Sequence, residues 1–263
     1  MIHKPTVNHI FDEKFKHGLD IIGLPTDLVA LLATEPDVLI WPDVSLETLY
    51  QDPAATVLAG PGDPCGAVVH PITREVEIFQ DTDAARPIVG IDGRSLIYDG
   101  ESSYMISSNS DGLVPSSPSD DFSLVADVEI LSVTGAQMNI ISQYLITESD
   151  RTQWRISTGT GQIEYRIDGP TISAGVAPRD GFVERFVVAW WRDSEPRVGT
   201  DLYDVVGLVG TQSAVGTGTV ALPTEIGRRA GNADRHLHGV MRTIVVGPEA
   251  RRGDYADILR QNL

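Results

Sequence analysis

The chain has 263 residues, with 20 lysines and arginines against 37 aspartates and glutamates, so its formal net charge is −17. The length suits one large all-β domain or two small domains, whose cores need no disulfides. The acidic balance and the lack of a basic stripe argue against binding to nucleic-acid phosphates. The single cysteine, Cys65, excludes an intrachain disulfide and a multi-cysteine zinc site.

Residues 1–36 are predicted to form an N-terminal arm with a helix from Asp27 to Glu35. Thr26 offers an N-cap and Pro36 ends the helix. The apolar face of this helix consists of three leucines: Leu28, Leu31 and Leu32. A helix this short is not stable alone, so the leucine face needs a partner in this chain or in another. An attachment or oligomerisation arm and a loosely packed terminal segment are the two interpretations.

The rest of the chain, residues 37–263, is predicted to form one domain of short strands. Residues 37–118 are dense in turn signals and hold lead-in strands, and Ser107–Ser119 is a loop or linker. Residues 119–263 show regularly spaced strand-forming runs that predict an antiparallel sandwich. These runs are Phe122–Ile130, Asn139–Tyr144, Thr152–Ser157, Gln162–Ile167 and Phe186–Trp191. A short C-terminal helix, Gly253–Leu263 with Asp254 as its cap, ends the chain.

The stretch Val205–Thr224 carries no charge over 20 residues, which is nominally enough to cross a bilayer. It holds four glycines together with glutamine, serine and threonine. This mixture is too polar for a membrane helix and is typical of strands joined by glycine turns. We therefore expect no membrane insertion.

From Asp121 to Leu263 the sequence resembles a laminin-G-like, concanavalin A-like jelly roll. The resemblance rests on the opening strand Phe122–Leu124, the central strand Phe186–Trp190, and an ending formed by Ala221–Arg228 and Leu237–Val246. It implies an all-β, concanavalin A-like antiparallel jelly-roll sandwich, with the N-terminal helical arm and the short C-terminal helix added. The family's usual Asp-Glu pair before the final strand is Arg242-Thr243 here, so no function is carried over at that position.

The run Trp41–Asp52 resembles the lead-in of jelly-roll proteins from phages, prophages and gene-transfer-agent particles. This resemblance implies a virion-associated structural protein (a fibre, spike or spike base) at the surface of a particle assembled in the bacterial cytoplasm. Its partners would be other virion proteins, further copies of itself in a homo-oligomer, and host-surface polysaccharide. A purely structural adaptor that contacts only other virion proteins is the alternative.

Enzymatic cleavage of polysaccharide is the weaker alternative. Some glucanases with this fold use a Glu-x-Asp-x-Glu strand, whose alternation places the carboxylates on one face. The nearest match here is Val125–Glu129, with Val125 where the nucleophile would stand. We therefore expect no enzyme activity, and expect Asp127 and Glu129 to form a solvated strand face.

Metal ligation is considered at three places. Asp99 with Glu101, or the pair Asp120-Asp121, could bind calcium at the rim of a sandwich, although solvated turn acids explain them as well. His236-x-His238 places two imidazoles on one strand face and offers half of a metal site, against an ordinary polar loop. No other cofactor is expected.

Trp190 and Trp191 are candidate ligand-binding residues. Successive side chains of a strand point to opposite faces, so the two rings cannot both enter one core. A strand that is apolar on both faces is either covered on both sides or offers one face to a ligand. Residues 37–118 would cover the second face in the first case, whereas an exposed ring would stack on a sugar in the other.

Overall fold

A computed structural model describes residues 24–110, 112–114, 120–132, 137–144, 151–157, 162–168, 172–176, 185–193, 197–215, 223–229, 235–261 and 263. Residues 1–23, which make up most of the predicted arm, lie outside this set, as does part of the predicted linker. None of the helices in these residues has the length and apolar character needed to span a bilayer.

The described residues form two α-helices and seventeen strands. The helices are α1 (Thr26–Ala33) and α2 (Arg252–Arg260), and short 3-10 turns lie at Val44–Leu46, Asp83–Ala85 and Glu249–Arg251. The strands up to the central loop are β1 (Val38–Ile40), β2 (Leu49–Tyr50), β3 (Ala67–Val69), β4 (Val76–Phe79), β5 (Ile88–Val89), β6 (Leu96–Asp99) and β7 (Met105–Ser107). The later strands are β8 (Phe122–Ile130), β9 (Gln137–Tyr144), β10 (Arg151–Ser157), β11 (Gln162–Asp168), β12 (Ile172–Val176), β13 (Arg185–Arg192), β14 (Arg197–Tyr203), β15 (Leu208–Val215), β16 (Thr224–Ile226) and β17 (His238–Gly247).

These strands form two antiparallel sheets. Sheet A has eight strands in the order β15-β14-β13-β8-β17-β6-β5, with β1 also paired to β17. Sheet B has nine strands in the order β12-β11-β10-β9-β16-β7-β4-β3-β2. Strands from residues 37–118 pair directly with later ones, as in β6 with β17 and β7 with β16. The predicted antiparallel jelly-roll sandwich with a short C-terminal helix is confirmed.

The main core lies between the two sheets and follows from strand alternation. Along β8, Leu124, Ala126 and Val128 face this core, whereas Val125 faces the outer side of sheet A. From sheet B, Trp154 stacks on Tyr165 with ring centroids 5.5 Å apart, and both rings are fully buried. The apolar stripes of the two sheets thus meet in one continuous core.

A second core covers the outer face of sheet A. It joins the leucines of α1 to Tyr255 and Leu259 of α2, and α2 packs on strands β8, β13 and β17, whose Val125, Val187 and Val245 belong to the same core. Leu28 and Leu31 are completely buried. The partner of the leucine face therefore lies in this same chain. Burial of that face stabilises a helix that is too short to form alone.

Candidate functional site

A polar cleft of about 260 Å³ opens on the outer face of sheet A, beside the two helices. The floor comes from strands β8, β13 and β17, which present Asp127, Arg185 and Arg242. The turn between β5 and β6 adds Asp92 and Arg94 to one wall. The remaining lining residues are Asp27, Trp41, Pro42, Thr243 and Leu259. We refer to this site as the charged cleft.

Ion pairs hold the floor of the charged cleft. Arg185 donates two hydrogen bonds to the Asp127 carboxylate, from Nε to Oδ1 at 3.0 Å and from Nη2 to Oδ2 at 2.6 Å. Arg242 donates from Nη2 to Oε2 of Glu129 at 2.8 Å, and its Nε lies 3.9 Å from Oδ2 of Asp92. The forked pair with Asp127 fixes the plane of the Arg185 guanidinium.

An ion pair and hydrogen bonds also hold the turn between β5 and β6 that forms one wall of the cleft. Nε of Arg94 lies 3.2 Å from Oδ2 of Asp43, a carboxylate that is only 1% exposed. Asp92 accepts hydrogen bonds from the backbone N–H of Arg94 at 3.0 Å and from the Ser95 hydroxyl at 2.6 Å. The turn therefore presents a guanidinium and a carboxylate to the cleft in set positions.

Hydrogen bonds and neighbouring charges in the cleft favour the charged forms of Asp92 and Arg185. Burial alone would raise the pKa of Asp92, but the hydrogen bonds from Ser95 and Arg94 and the nearby arginines outweigh it, so the pKa lies below its usual value. Burial likewise opposes ionisation of Arg185, yet the bonds and charge of Asp127 raise its pKa above the usual value. Fixed positive and negative charges thus alternate around the opening.

Two lining residues of the cleft each carry a buried hydrogen-bond donor that has no partner among the described residues. These are the indole Nε1 of Trp41 and Nη1 of Arg242, both of which are buried atoms. Trp41 is only 4% exposed. A buried donor without a partner is costly, so an acceptor oxygen that reached either atom would form a favourable hydrogen bond there.

The strand with Asp127 and Glu129 differs from the expected solvated face. Asp127 is 3% exposed and is paired with Arg185, so the expectation of a solvated acid is wrong at that position. The cause is the neighbouring strand β13, which brings Arg185 beside it. Val125, at the position of the missing nucleophile, is buried under the helices.

Both candidate tryptophans are buried. Trp190 lies completely within the main core, and Trp191 is 6% exposed on the outer face of sheet A. The Arg252 guanidinium of α2 covers the Trp191 ring at 4.4 Å from its centroid. Residues 37–118 contribute part of the expected cover, since Leu39 and Trp41 join the core on this face, but the cover over Trp191 itself comes from the C-terminal helix. Because both rings are buried, neither offers a platform for a sugar.

The surroundings of Trp191 lock its ring in place. Its Nε1 donates to Oδ1 of Asp201 at 3.2 Å, and Arg252 pairs with Oδ2 of the same carboxylate at 2.8 Å. On the facing strand Gly199 is required, because a Cβ there would lie 2.2 Å from the ring.

The acids considered for calcium do not come together. The Asp99 carboxylate accepts hydrogen bonds from the backbone N–H groups of Glu101, Ser102 and Ser103, all at 2.9 Å. Burial would raise the pKa of Asp99, but these bonds and those from the serine hydroxyls lower it. Asp120 and Asp121 are exposed, and the backbone oxygen of Asp120 accepts from Arg192.

The two histidines considered as half of a metal site, His236 and His238, lie in different surroundings. His236 is buried, with a pKa lowered mainly by that burial, and Nδ1 of His238 lies 2.6 Å from the Ser132 hydroxyl. Within the described residues, no three His, Cys, Asp or Glu side chains are grouped as metal ligands would be.

Sequence reasoning missed most of the charged cleft. Trp41, Arg94 and Arg185 come from three distant segments, and only the sheet pairing brings them together. One signal was available: Asp127 and Glu129 are acids on an otherwise apolar strand. Because a buried carboxylate is stable only when it is paired, basic side chains are expected on the neighbouring strands.

No protein-family model matches this sequence, and no curated protein matches it. The fold is similar to that of Trypanosoma rangeli sialidase, with a TM-score of 0.55 and 13% identity, over 98% of this chain and 39% of the sialidase chain. It is also similar to the enzymatically active domain of bacteriophage CBA120 tailspike protein 2, with a TM-score of 0.47 and 14% identity, over 64% of this chain and 27% of that one. Domains LG4–5 of the mouse laminin alpha1 chain match at a TM-score of 0.40 and 12% identity, over 58% of this chain and 39% of theirs.

The chain spans well under two thirds of the length of each of these structures, between 27% and 39%. At such low identity the likeness shows the fold alone. The link between this chain and a phage particle stays a prediction.

Proposed function

We propose that this protein is a non-enzymatic, virion-associated structural protein of a phage or phage-like particle, and that it binds host-surface carbohydrate in the charged cleft. The cleft carries the proposal: it is an open polar site with a forked Arg185–Asp127 pair, and two of its residues carry buried donors, Trp41 Nε1 and Arg242 Nη1, that have no partner within the described part of the chain. The particle context rests on the resemblance of Trp41–Asp52 to phage jelly-roll proteins.

The chemistry of the cleft suits a hydroxyl-rich ligand. Sugar hydroxyls both accept and donate hydrogen bonds, so they can satisfy the two free donors while donating to carboxylates such as Asp92. The volume of about 260 Å³ lies just below the range of roughly 300–1,000 Å³ for pockets of drug-sized ligands. One sugar unit would enter the cleft, and the rest of the glycan would pass over its open side.

The remaining parts of the proposal follow from the same features. The protein would lie at the particle surface after assembly in the bacterial cytoplasm, in contact with other virion proteins. A net charge of −17 disfavours a nucleic-acid partner. No cofactor is required, since binding by hydrogen bonds needs neither metal nor redox chemistry.

The decisive variant is Trp41→Phe, because Nε1 of Trp41 has no hydrogen bond to lose among the residues that the structure describes. Against a panel of bacterial capsular and cell-wall polysaccharides, the wild-type chain should bind at least one glycan. Loss of one net hydrogen bond of ~0.5–1.5 kcal/mol weakens binding about 2- to 10-fold. Equilibrium binding to the immobilised glycan measures this change.

Trp154→Phe is the matched control. Trp154 is also a buried tryptophan with an unpartnered Nε1, but it faces the core between the sheets. Its replacement should affect melting as much as Trp41→Phe does, and leave glycan affinity unchanged. Equal affinity of both variants would exclude the charged cleft, and binding to no glycan of the panel would favour the structural adaptor.

A further inference from the structure

The charged cleft contains a carboxylate, that of Asp92, which lies outside the close arginine pairs. Each of the three guanidinium groups in the lining is paired with its own carboxylate, at N–O distances of 2.6 to 3.2 Å: Arg94 with Asp43, Arg185 with Asp127 and Arg242 with Glu129. Asp92 is a further acid in the same lining. The positive charges of the cleft are therefore matched already, and the negative charge of Asp92 is additional to them.

One carboxylate oxygen of Asp92 is available as an acceptor. Its Oδ1 accepts from the backbone N–H of Arg94 and from the Ser95 hydroxyl. Its Oδ2 lies 3.9 Å from Nε of Arg242, which is too long for a hydrogen bond, and it accepts none within the described part of the chain. The side chain is 43% exposed, so a ligand in the cleft can reach this oxygen.

The turn that carries Asp92 is fixed by backbone hydrogen bonds. The N–H of Gly93 donates to the carbonyl of Gly90 at 2.9 Å, and the carbonyl of Gly93 accepts from the N–H of Val44 at 2.8 Å. Gly93 has a φ of +67°, a conformation that favours glycine. Because the turn is already ordered, a ligand that contacts Asp92 has little conformational entropy to overcome there.

Local and overall charge favour the same kind of ligand. An acidic sugar would meet arginines that already have carboxylate partners, the additional charge of Asp92, and a chain with a net charge of −17. A neutral sugar hydroxyl can donate to Asp92 but gains no attraction between opposite charges. A protonated amino group gains both, because a hydrogen bond from a cation to a carboxylate is stronger than one between neutral groups.

We infer that the charged cleft selects glycans whose sugar units carry a free, positively charged amino group, and that Oδ2 of Asp92 accepts a hydrogen bond from this group. The inference rests on the proposed function, since it names the class of sugar that the cleft binds. Asp92 is then the residue that determines specificity, and glycans rich in carboxylate groups are poor ligands.

Two probes that differ only at the amino group test this inference: β-1,4-linked tetramers of glucosamine and of N-acetylglucosamine. Titration calorimetry of the full chain at about pH 6, where an amine is protonated, measures both affinities. The wild type should bind the glucosamine tetramer about 3- to 10-fold more tightly, as expected for a partly exposed charged hydrogen bond. In Asp92→Asn the ratio of the two affinities should fall to near one. The asparagine oxygen can still accept from Arg94 and Ser95, so circular dichroism should match that of the wild type.

The matched control is Asp81→Asn, which removes the same charge from an exposed residue outside the cleft lining. It should keep the wild-type preference. Equal affinity of the wild type for the two tetramers, a preference that persists in Asp92→Asn, or an equal loss of preference in both variants would overturn the inference. So would binding of other glycans but of neither tetramer, and in all these cases glycan binding itself could still hold. A wild type that binds neither tetramer and no polysaccharide of the panel would contradict the proposed function.

Discussion

Single residues in this protein owe their roles to neighbours that are far away in the sequence. Trp191 is held by Asp201 and Arg252, and Asp127 by Arg185. Strand alternation predicts that the rings of Trp190 and Trp191 point to opposite faces of sheet A, and this prediction is confirmed. It cannot predict what covers the second face, because the Arg252 guanidinium arrives from a helix about sixty residues later in the chain.

His70, a buried side chain just after β3, shows how burial couples one residue to pH. Its Nδ1 accepts hydrogen bonds from the backbone N–H groups of Ile72 and Thr73, both at 3.1 Å. Burial lowers the pKa of His70 from 6.5 to about 4. Protonation of Nδ1 would remove both bonds, so the folded protein holds this ring neutral.

We expect His70 to reduce stability in mild acid. The unfolded chain takes up the proton first as the pH falls from 6.5 towards 4, so the free energy of unfolding decreases across this window and the effect of His70 levels off below it. Between pH 6.5 and 5 the loss amounts to ~2 kcal/mol. Urea unfolding at several pH values measures it.

The matched variant is His70→Asn, whose amide oxygen can accept the same bonds and does not titrate. Its unfolding free energy should fall less than that of the wild type over this window. Parallel pH profiles for the two proteins would show that His70 does not contribute to the acid sensitivity.

At the scale of elements, the sequence predicts which helices and strands form better than it predicts what they pack against. The leucine spacing of α1 predicts a helix with one apolar face, and the structure begins it at Thr26, with Pro25 as the capping residue. Spacing cannot tell whether that face meets its own chain or another. The same limit applies to the short strands β5 and β6. They pair with each other across a turn, and β6 also pairs with β17, which comes about 140 residues later in the chain.

Helix α1 is predicted to contribute directly to the stability of the sandwich. Leu31 is fully buried against the outer face of sheet A, so Leu31→Ala leaves a cavity and should lower the free energy of unfolding by ~2–5 kcal/mol. Chemical denaturation measures this loss. Removal of residues 1–36 should therefore weaken the fold itself, in addition to any effect on attachment to a particle.

Ala33→Ser tests the exposed side of the same helix. Ala33 is exposed, so this change should shift stability by only ~0.5 kcal/mol. If Leu31→Ala is as stable as Ala33→Ser, α1 does not pack on the sheet, and the second core is incorrectly described.

At the scale of the whole molecule, composition and strand spacing predict the class of fold but not the functional surface. Regular short strands indicate a sandwich, and the two sheets confirm it. The charged cleft forms where β8, β13 and β17 meet the turn at Asp92, a place defined only by sheet order. The uncharged stretch from Val205 is predicted to form strands joined by glycine turns, and the structure places β15 (Leu208–Val215) within it.

The central proposal is that this sandwich holds a host glycan without cleaving it. The most direct test incubates the full-length chain with a purified host-surface polysaccharide and follows the retained polysaccharide and newly formed reducing ends in one experiment. We predict saturable retention and no reducing ends above the protein-free control. Reducing ends that disappear with Asp127→Asn or Glu129→Gln, or no retained polysaccharide at all, would contradict the proposal.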